Sequence, residues 1–464
     1  MRVWKAGLAV CLATAAWAAT GQESLEVRAG RYLTDLVRID TSNPPGNETL
    51  AARYLQQVAE REGIPCELLG GNPTRLNFLA RLPGRSGARP LLLMAHSDVV
   101  PAERARWTVP PFSATIQNGF VYGRGTVDDK SLLAAELAVM VELRRMNRPL
   151  SRGLLLLSEA DEEEESTGME WLVRNAWKKI DAAFALNEGG VALELPSGAT
   201  LYQIQTAEKV PTPVLVRARG TAGHGSLPRP DNPLVRVARA IVALADADQP
   251  VRLNSTTRRY FSEISRLPEY QWLVHLIPRL ERRQTAIPAA NAIRDRDPEL
   301  DAQLRTTVSP DVLHAGTVVN AIPGGAEAQV DVRRLPGETC AEILARLHRI
   351  VNDNQVEIVL APGHDLPATG PSPISTSLYR TMEAVFRRAS RRAVVVPYMQ
   401  RGATDGASLR QKGIPVYGVP IFAREDRENR AHGADERISP EVLGRGARLL
   451  LEIVEGVEEF GVKI

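Results

Sequence analysis

The chain has 464 residues, of which 44% are hydrophobic and 24% charged, the balance of an ordinary globular protein. Single cores stop growing near roughly 250–300 residues, so this length predicts two domains. The formal net charge is only +2 and no basic run or aromatic–basic stripe occurs, which excludes nucleic acid as the main partner.

The chain opens on what reads as an export signal. Arg2 and Lys5 precede the apolar stretch AGLAVCLATAAWA, and Ala16-Trp17-Ala18 offers a small-x-small cleavage site. That run falls short of the ~20 residues that span a bilayer, so no stable membrane anchor is expected. Cys11, preceded by the bulky Val10, lies too early for a lipoprotein. The expectation is an exported protein, periplasmic or secreted, with residues 1–18 removed. Losing Arg2 and Lys5 brings the formal charge to about zero, which weakens any steering of a polyanion. Of three cysteines only Cys66 and Cys340 remain, too few and too far apart for a disulfide framework or a thiolate zinc site. Both are expected as core thiols.

Beyond the leader, amphipathic helices alternate with short, almost wholly apolar runs at 91–94, 154–157, 182–186 and 415–421. Strands without polar alternation are buried on both faces, as in a parallel sheet covered by helices. Helical patterns follow, for example over 132–146 and 443–454. The predicted fold class is α/β. Between Pro211 and about Gly363 the pattern changes. PVLVRARG reads as a strand, NPLVRVARAIVALA as a helix, TVVNAIP and AEAQVDVRRL as strands, CAEILARLHRIV as a helix and VEIVLAP as a strand. The order βαββαβ is that of a ferredoxin-like α+β sandwich. Within it, residues 256–310 are rich in Arg and Pro and read as a mixed helical insertion. The expected division is 19–210 and 364–464 for the two parts of the α/β domain, with 211–363 inserted between them.

The polar residues fall just after the apolar strands. LLLMAHSDVVP runs straight into His96 and Asp98, GLLLLSEADEEEE into Asp161, Glu162 and Glu163, and AAFALNEGG ends on Glu188. VYGVPI is followed by ENRAHGADER with His432. Ligands of open parallel sheets bind outside the carboxyl ends of the strands, so these residues predict one polar cleft. His with carboxylate and no cysteine is the donor set of catalytic zinc. His96 and Asp98 face the same side of an extended chain, so one can bind metal while the other orients it. Glu162 and Glu163 point differently, which suits one as ligand and its neighbour as general base. Each piece has a bland counterpart: HxD recurs by chance, and acidic runs often start solvated helices. Their joint occurrence at strand ends is what points to metal chemistry.

These motifs resemble those of the co-catalytic zinc amidohydrolases and peptidases, which include carboxypeptidase S, carboxypeptidase G, aminoacylase and succinyl-diaminopimelate desuccinylase. The likeness runs from TSNPPGNE to AHGADERI through five motifs in the same order. It implies a zinc-peptidase-like, mostly parallel sheet flanked by helices, holding two Zn2+ per subunit. His96 and Glu188 would bind one ion, Glu163 and His432 the other, and Asp128 in VYGRGTVDDK would bridge them. Asp98 would orient His96, Glu162 would be the general base, and the 128–129 peptide would be cis. The insert would be a lid that doubles as a dimerisation domain. In it, His224 of GTAGHGSLP would polarise the scissile carbonyl. Asn320 in VVNAIPGG and Arg333 in VDVRRLP would hold the substrate's carboxylate, together with Gly402 and Thr404 of RGATDGASL. Among seven histidines, His275, His314, His348 and His364 fall in no motif and are expected at the surface or on helices. Ser131 stands where many relatives have glycine, and Glu164, Glu165 and Ser166 where glycines commonly follow the paired glutamates. The spacing from Asp161 to Gly168 keeps the register on Glu162 and Glu163.

The function expected is a zinc-dependent, carboxypeptidase-like hydrolase of amide or peptide bonds beside a free carboxylate. Its partners would be small peptides or N-acyl amino acids and, through the lid, a second copy of the chain. The alternative is an N-acyl-amino-acid amidohydrolase, which needs the same metals and clamp. The long 256–310 insertion resembles that of the carboxypeptidase S branch, which holds both activities. A more distant alternative is a non-catalytic exported binding protein, whose mark would be loss of a ligand or of Glu162. All are present.

Overall fold

The computed structural model describes residues 23–363, 369–424 and 430–460, so the expected export signal lies outside the described residues. The first part of the body runs α1 (Leu25–Val37), α2 (Glu48–Arg61), β1 (Cys66–Leu69), β2 (Asn77–Leu82), β3 (Leu91–His96) and α3 (Lys130–Arg145). It continues through β4 (Leu154–Glu159), α4 (Thr167–Asn175), β5 (Phe184–Asn187), β6 (Val191–Glu194) and β7 (Thr200–Glu208). Next come β8 (Val214–Arg219), α5 (Pro233–Asp246), α6 (Ser255–Ile264), β9 (Thr307–Ala315), β10 (Gly325–Arg334), α7 (Cys340–Val351) and β11 (Val356–Leu360). The chain closes with α8 (Ser377–Ala389), β12 (Ala393–Gln400), α9 (Gly406–Gln411), β13 (Val416–Gly418), β14 (Ala423–Arg424) and α10 (Pro440–Phe460).

One sheet of ten strands has the order β1-β2-β4-β3-β5-β13-β7-β6-β14, with β12 paired to β7. At its centre β3 lies parallel to both β4 and β5, and β5 is parallel to β13. The unbroken apolar runs follow from this position. Leu91, Leu93 and Ala95 join a core with residues of α1, α2, α3 and α10, while Leu92 and Met94 join a second with Met169 and Leu172 of α4. Alternate side chains meet opposite faces, and both faces are covered.

The second sheet is antiparallel, in the order β9-β10-β8-β11, with α5 and α7 contributing to its core. This is the expected ferredoxin-like βαββαβ unit with one strand placed differently. TVVNAIP does not form the predicted strand: β9 is Thr307–Ala315, and only Ala321–Ile322 pairs, with Gly223–His224. Pro310 hid β9 from a reading of the residues. It stands beside a bulge between Pro310 and Val312, on a strand bonded on one side only, where a missing N–H is tolerated.

The 256–310 segment is helical through most of its length, but its side chains pack away from this second sheet. Tyr260, Phe261, Leu273 and Ile293 share a core with Leu201 of β7 and with Val396 and Tyr398 of β12. Cys66 and Cys340 are half-buried, not the core thiols expected; Cys66 packs against the edge of the main core. Among the described residues no helix is long and apolar enough to cross a membrane.

A Cβ at Gly168 would stand 2.2 Å from the Ala160 carbonyl oxygen and 2.7 Å from Asn77 Oδ1. Asn77 is fully buried and accepts the Ala160 N–H, so neither neighbour can give way. Gly168→Ala is therefore expected to cost about 1–3 kcal/mol of stability, the range of overpacking. Urea unfolding should show a lower midpoint at unchanged slope.

Candidate metal centre

Five segments meet at the carboxyl edge of the central strands. β3 ends on His96, the turn after β4 carries Glu162 and Glu163, and Glu188 follows β5 directly. Asp128 lies in the loop before α3, and His432 in the segment before α10. Nε2 of His96 is 3.0 Å from Asp128 Oδ1, and Nε2 of His432 is 3.3 Å from Asp128 Oδ2. Each oxygen of one carboxylate thus faces a different imidazole. His432 Nε2 is also 3.1 Å from Glu163 Oε2. Donor atoms of His96, Glu162 and Glu188 lie within 4.8 Å of one another, as do those of His96, Asp128 and Glu163. All six predicted metal-site and general-base residues therefore converge. Glu164 and Glu165 point to solvent, as the register set by Gly168 requires. The Asp128–Asp129 peptide is cis.

Buried acceptors fix these segments. Asp98 has no solvent exposure; its Oδ1 accepts the Glu162 N–H at 3.2 Å and its Oδ2 the Glu163 N–H at 3.1 Å. Its own carbonyl oxygen lies 3.0 Å from His96 Nδ1. Asn43, within TSNPPGNE, donates from Nδ2 to both Asp98 and Asp161, each at 2.9 Å. Asp161 has φ +69°, a conformation that needs support in a residue with a Cβ. Arg75 supplies it at 2.6 Å while also bonding Glu48 at 2.9 Å. On the opposite side Glu436 accepts the N–H groups of Gly125, Val127 and Asp128 and the Arg124 guanidinium at 2.6–3.1 Å. Neither Asn43 nor Glu436 was singled out as a functional residue by sequence. The only local signal was that both sit inside quoted motifs.

Charge follows from this packing. Burial opposes ionisation of Asp98, yet hydrogen bonds from His96, Asn43 and the Glu163 N–H hold its pKa below the usual value. Burial also opposes protonation of His96, but Asp128 and Asp98 carry it well above an ordinary histidine. His432 is raised to about 10 by its hydrogen bonds to Asp128 and Glu163. Burial, then each other's or neighbouring carboxylates, push Glu162 and Glu188 far up. Glu163 Oε1 is buried without a hydrogen-bond partner. Several carboxylates and two imidazoles crowded round one point, with an oxygen to spare, fit divalent cations and no thiolate chemistry.

The remaining predicted residues, Gly402 aside, are bonded to other partners. His224 and Asn320 are exposed and adjoin each other on the short ribbon Gly223–His224/Ala321–Ile322, where Gly225 N–H bonds Asn320 O at 2.7 Å. Ser226 Oγ lies 2.7 Å from His224 Nδ1. Arg333, half-buried on β10, bonds both oxygens of Asp331 through Nε at 2.9 Å. Gly402 is half-exposed, with open space where a Cβ would stand, whereas Thr404 is buried.

Comparison with known proteins supplies an independent line. The family model described as peptidase family M20/M25/M40 matches residues 92–456. The human protein named N-fatty-acyl-amino acid synthase/hydrolase PM20D1 is 30% identical over 386 residues, 80% of this chain and 74% of that protein. A Dictyostelium discoideum protein named probable carboxypeptidase S-like 2 is 26% identical over 80% of this chain and 72% of its own. Among solved structures, an M20 family metallo-carboxypeptidase from Sulfolobus solfataricus superposes with a TM-score of 0.71 at 21% identity, over 93% of this chain and 99% of that one.

Two outcomes follow from the geometry. Metal binding needs neutral imidazole and ionised carboxylate, so at pH 7 the raised groups must shed protons as ions enter. Calorimetric titration in buffers of different ionisation enthalpy should show proton release and affinity rising with pH; uptake without protons would contradict it. The sign for stability is opposite. His432 is raised from its ordinary value to about 10, so its contribution to the metal-free fold is complete below about pH 6.5 and lost as pH climbs to 10. Glu436→Gln turns one of the two accepting oxygens into an amide donor, set against either the Val127 and Asp128 N–H groups or the Gly125 N–H and the Arg124 guanidinium. It should weaken metal binding by about 10–100-fold in chelator competition.

Proposed function

The chain belongs to peptidase family M20/M25/M40, and from that membership we propose a two-zinc hydrolase that cuts an amide bond beside a free carboxylate. One observation carries the reading: the two oxygens of Asp128 face separate histidines, with Glu162 beside them. Imidazole and carboxylate without thiolate favour zinc among divalent ions. His96, Asp128 and Glu188 would hold one ion and Asp128, Glu163 and His432 the other.

Bound in pairs, such ions supply Lewis acidity and a nucleophilic water near neutral pH. Glu162 takes the proton of the attacking water and returns it to the leaving nitrogen. Asp98 keeps Glu162 aimed through its backbone N–H. His224 donates to the carbonyl oxygen as negative charge develops there. Arg333 and Asn320, with the loop at Gly402, grip the carboxylate and hold the scissile bond in register. Arg333 brings its fork already oriented by Asp331.

The carboxypeptidase reading takes a peptide as the acyl part. The 30% identity to a protein named for N-fatty-acyl-amino acids favours a second reading, an N-acyl-amino-acid amidohydrolase. The leader at 1–18 supports export. The exposed aliphatic side chains of Leu234, Val235 and Val242 on α5, with the outer edge of β9, support a two-fold dimer through the lid.

Product identification by mass spectrometry, after incubating zinc-loaded protein with blocked dipeptides and N-acyl amino acids, decides between the substrate classes. Elemental analysis should find two zinc ions per chain. Glu162→Gln should keep both ions yet lose activity by several orders of magnitude, whereas Glu163→Gln should lose metal. Swapped phenotypes would mean the two glutamates exchange roles.

A further inference from the structure

Thr404, assigned above to the substrate's carboxylate, has already placed its only hydroxyl proton. It is 6% exposed, and its Oγ1 donates to Glu208 Oε2 at 2.9 Å. The same oxygen accepts from Gln205 Nε2 at 2.8 Å. Arg410 Nη2 stands 2.5 Å from the other oxygen, Oε1, in an ion pair with both side chains at most 3% exposed. Thr404 Oγ1 in turn accepts the Gly406 N–H at 3.2 Å. A hydroxyl has one proton to give, so towards any further group Thr404 presents lone pairs, which a carboxylate cannot use.

Gln205 extends the network to the metal centre. It is fully buried, and a Cβ at Gly189, next to Glu188, would meet its Cδ at 3.0 Å. A Cβ at Gly418 would meet its Oε1 at 2.6 Å. The Glu188 turn therefore rests on Gln205, and Gln205 rests on Glu208. Glu208 itself ends β7, one residue before buried Lys209, whose Nζ donates to Thr307 of β9 at 3.0 Å.

We propose that Glu208 is a positioning residue: through Thr404 and Gln205 it holds the 402–406 loop in register with the Glu188 turn, and Thr404 serves that loop instead of gripping substrate. The inference rests on the hydrolase reading and leaves the carboxylate to Arg333, Asn320 and the open face of Gly402.

The test compares full-length, metal-loaded wild type with Thr404→Val, Thr404→Ser, Glu208→Gln and the double variant Thr404→Val/Glu208→Gln. Hydrogen–deuterium exchange across 401–411 is read without substrate. The constants kcat and KM are read for a free-acid substrate and for its carboxamide. Thr404→Val and Glu208→Gln should each speed exchange and lower kcat/KM by about tenfold, with the free-acid to carboxamide ratio unchanged. The double variant should be no worse than the worse single one, because both remove one linkage. Thr404→Ser, which keeps the hydroxyl, should regain most of the exchange protection that Thr404→Val loses. A loss confined to the free acid, with exchange unchanged, overturns the proposal and returns Thr404 to the carboxylate. Additive losses overturn it too. If Glu208→Gln does not fold, Thr404→Val against Thr404→Ser decides alone. If wild type cleaves neither substrate, the hydrolase reading fails while the exchange data still decide the role of Glu208.

Discussion

The carboxylate of Asp98 is wholly buried where β3 and β4 end, and it takes up the backbone N–H groups of Glu162 and Glu163 together with the amide of Asn43. Three donors on one acceptor make ionisation worthwhile despite the loss of water. Consecutive glutamates then cannot rotate freely about the turn: their N–H vectors are pinned, and so the directions of their side chains. The same residue's carbonyl faces His96 Nδ1, which leaves Nε2 for Asp128. Glu436 repeats the device across the cleft, gathering the N–H groups of Val127 and Asp128. The 162–163 turn and the 125–128 loop are thus each held by a carboxylate that belongs to another segment.

Such a site is costly for the bare protein. Burial acts against the charges of Glu162 and Glu188, and also against those of Glu159 and Asp405 just behind them. A cation would relieve this crowding, so ligand binding and stability are thermodynamically linked here. Buried ion pairs away from the cluster, such as Arg410 with Glu208, add rigidity where loops approach it.

Much of this is legible in the sequence. The run LLLMAH announces both a doubly covered strand and the residue it delivers, because one physical cause, burial on two faces, dictates the composition. The ligand types and their order along the chain were readable for the same reason. Asn43, Glu208 and Glu436 were not readable as functional residues, because each acts on a partner far away in sequence: two carboxylates, a hydroxyl and backbone N–H groups respectively. Nothing in Glu436's neighbours reveals that its partners begin at Arg124. Pro310 concealed β9 because proline is excluded from central strands, and only topology shows that this one is an edge. The helices after Ser255 looked local to the insert, since sequence proximity cannot say which sheet face lies uncovered.

His432 and Glu436 come late in the chain, after the whole second sheet has been threaded between them and the other ligands. A growing chain that has reached Glu188 has made five of the six converging residues but cannot close the cluster. Only when the segment before α10 is made does Asp128 gain both its second imidazole and the carboxylate that shapes its loop. Assembly of the centre is therefore a late event in the life of each molecule. A chain cut short before His432 would carry exposed acidic and imidazole groups without the geometry that makes them selective.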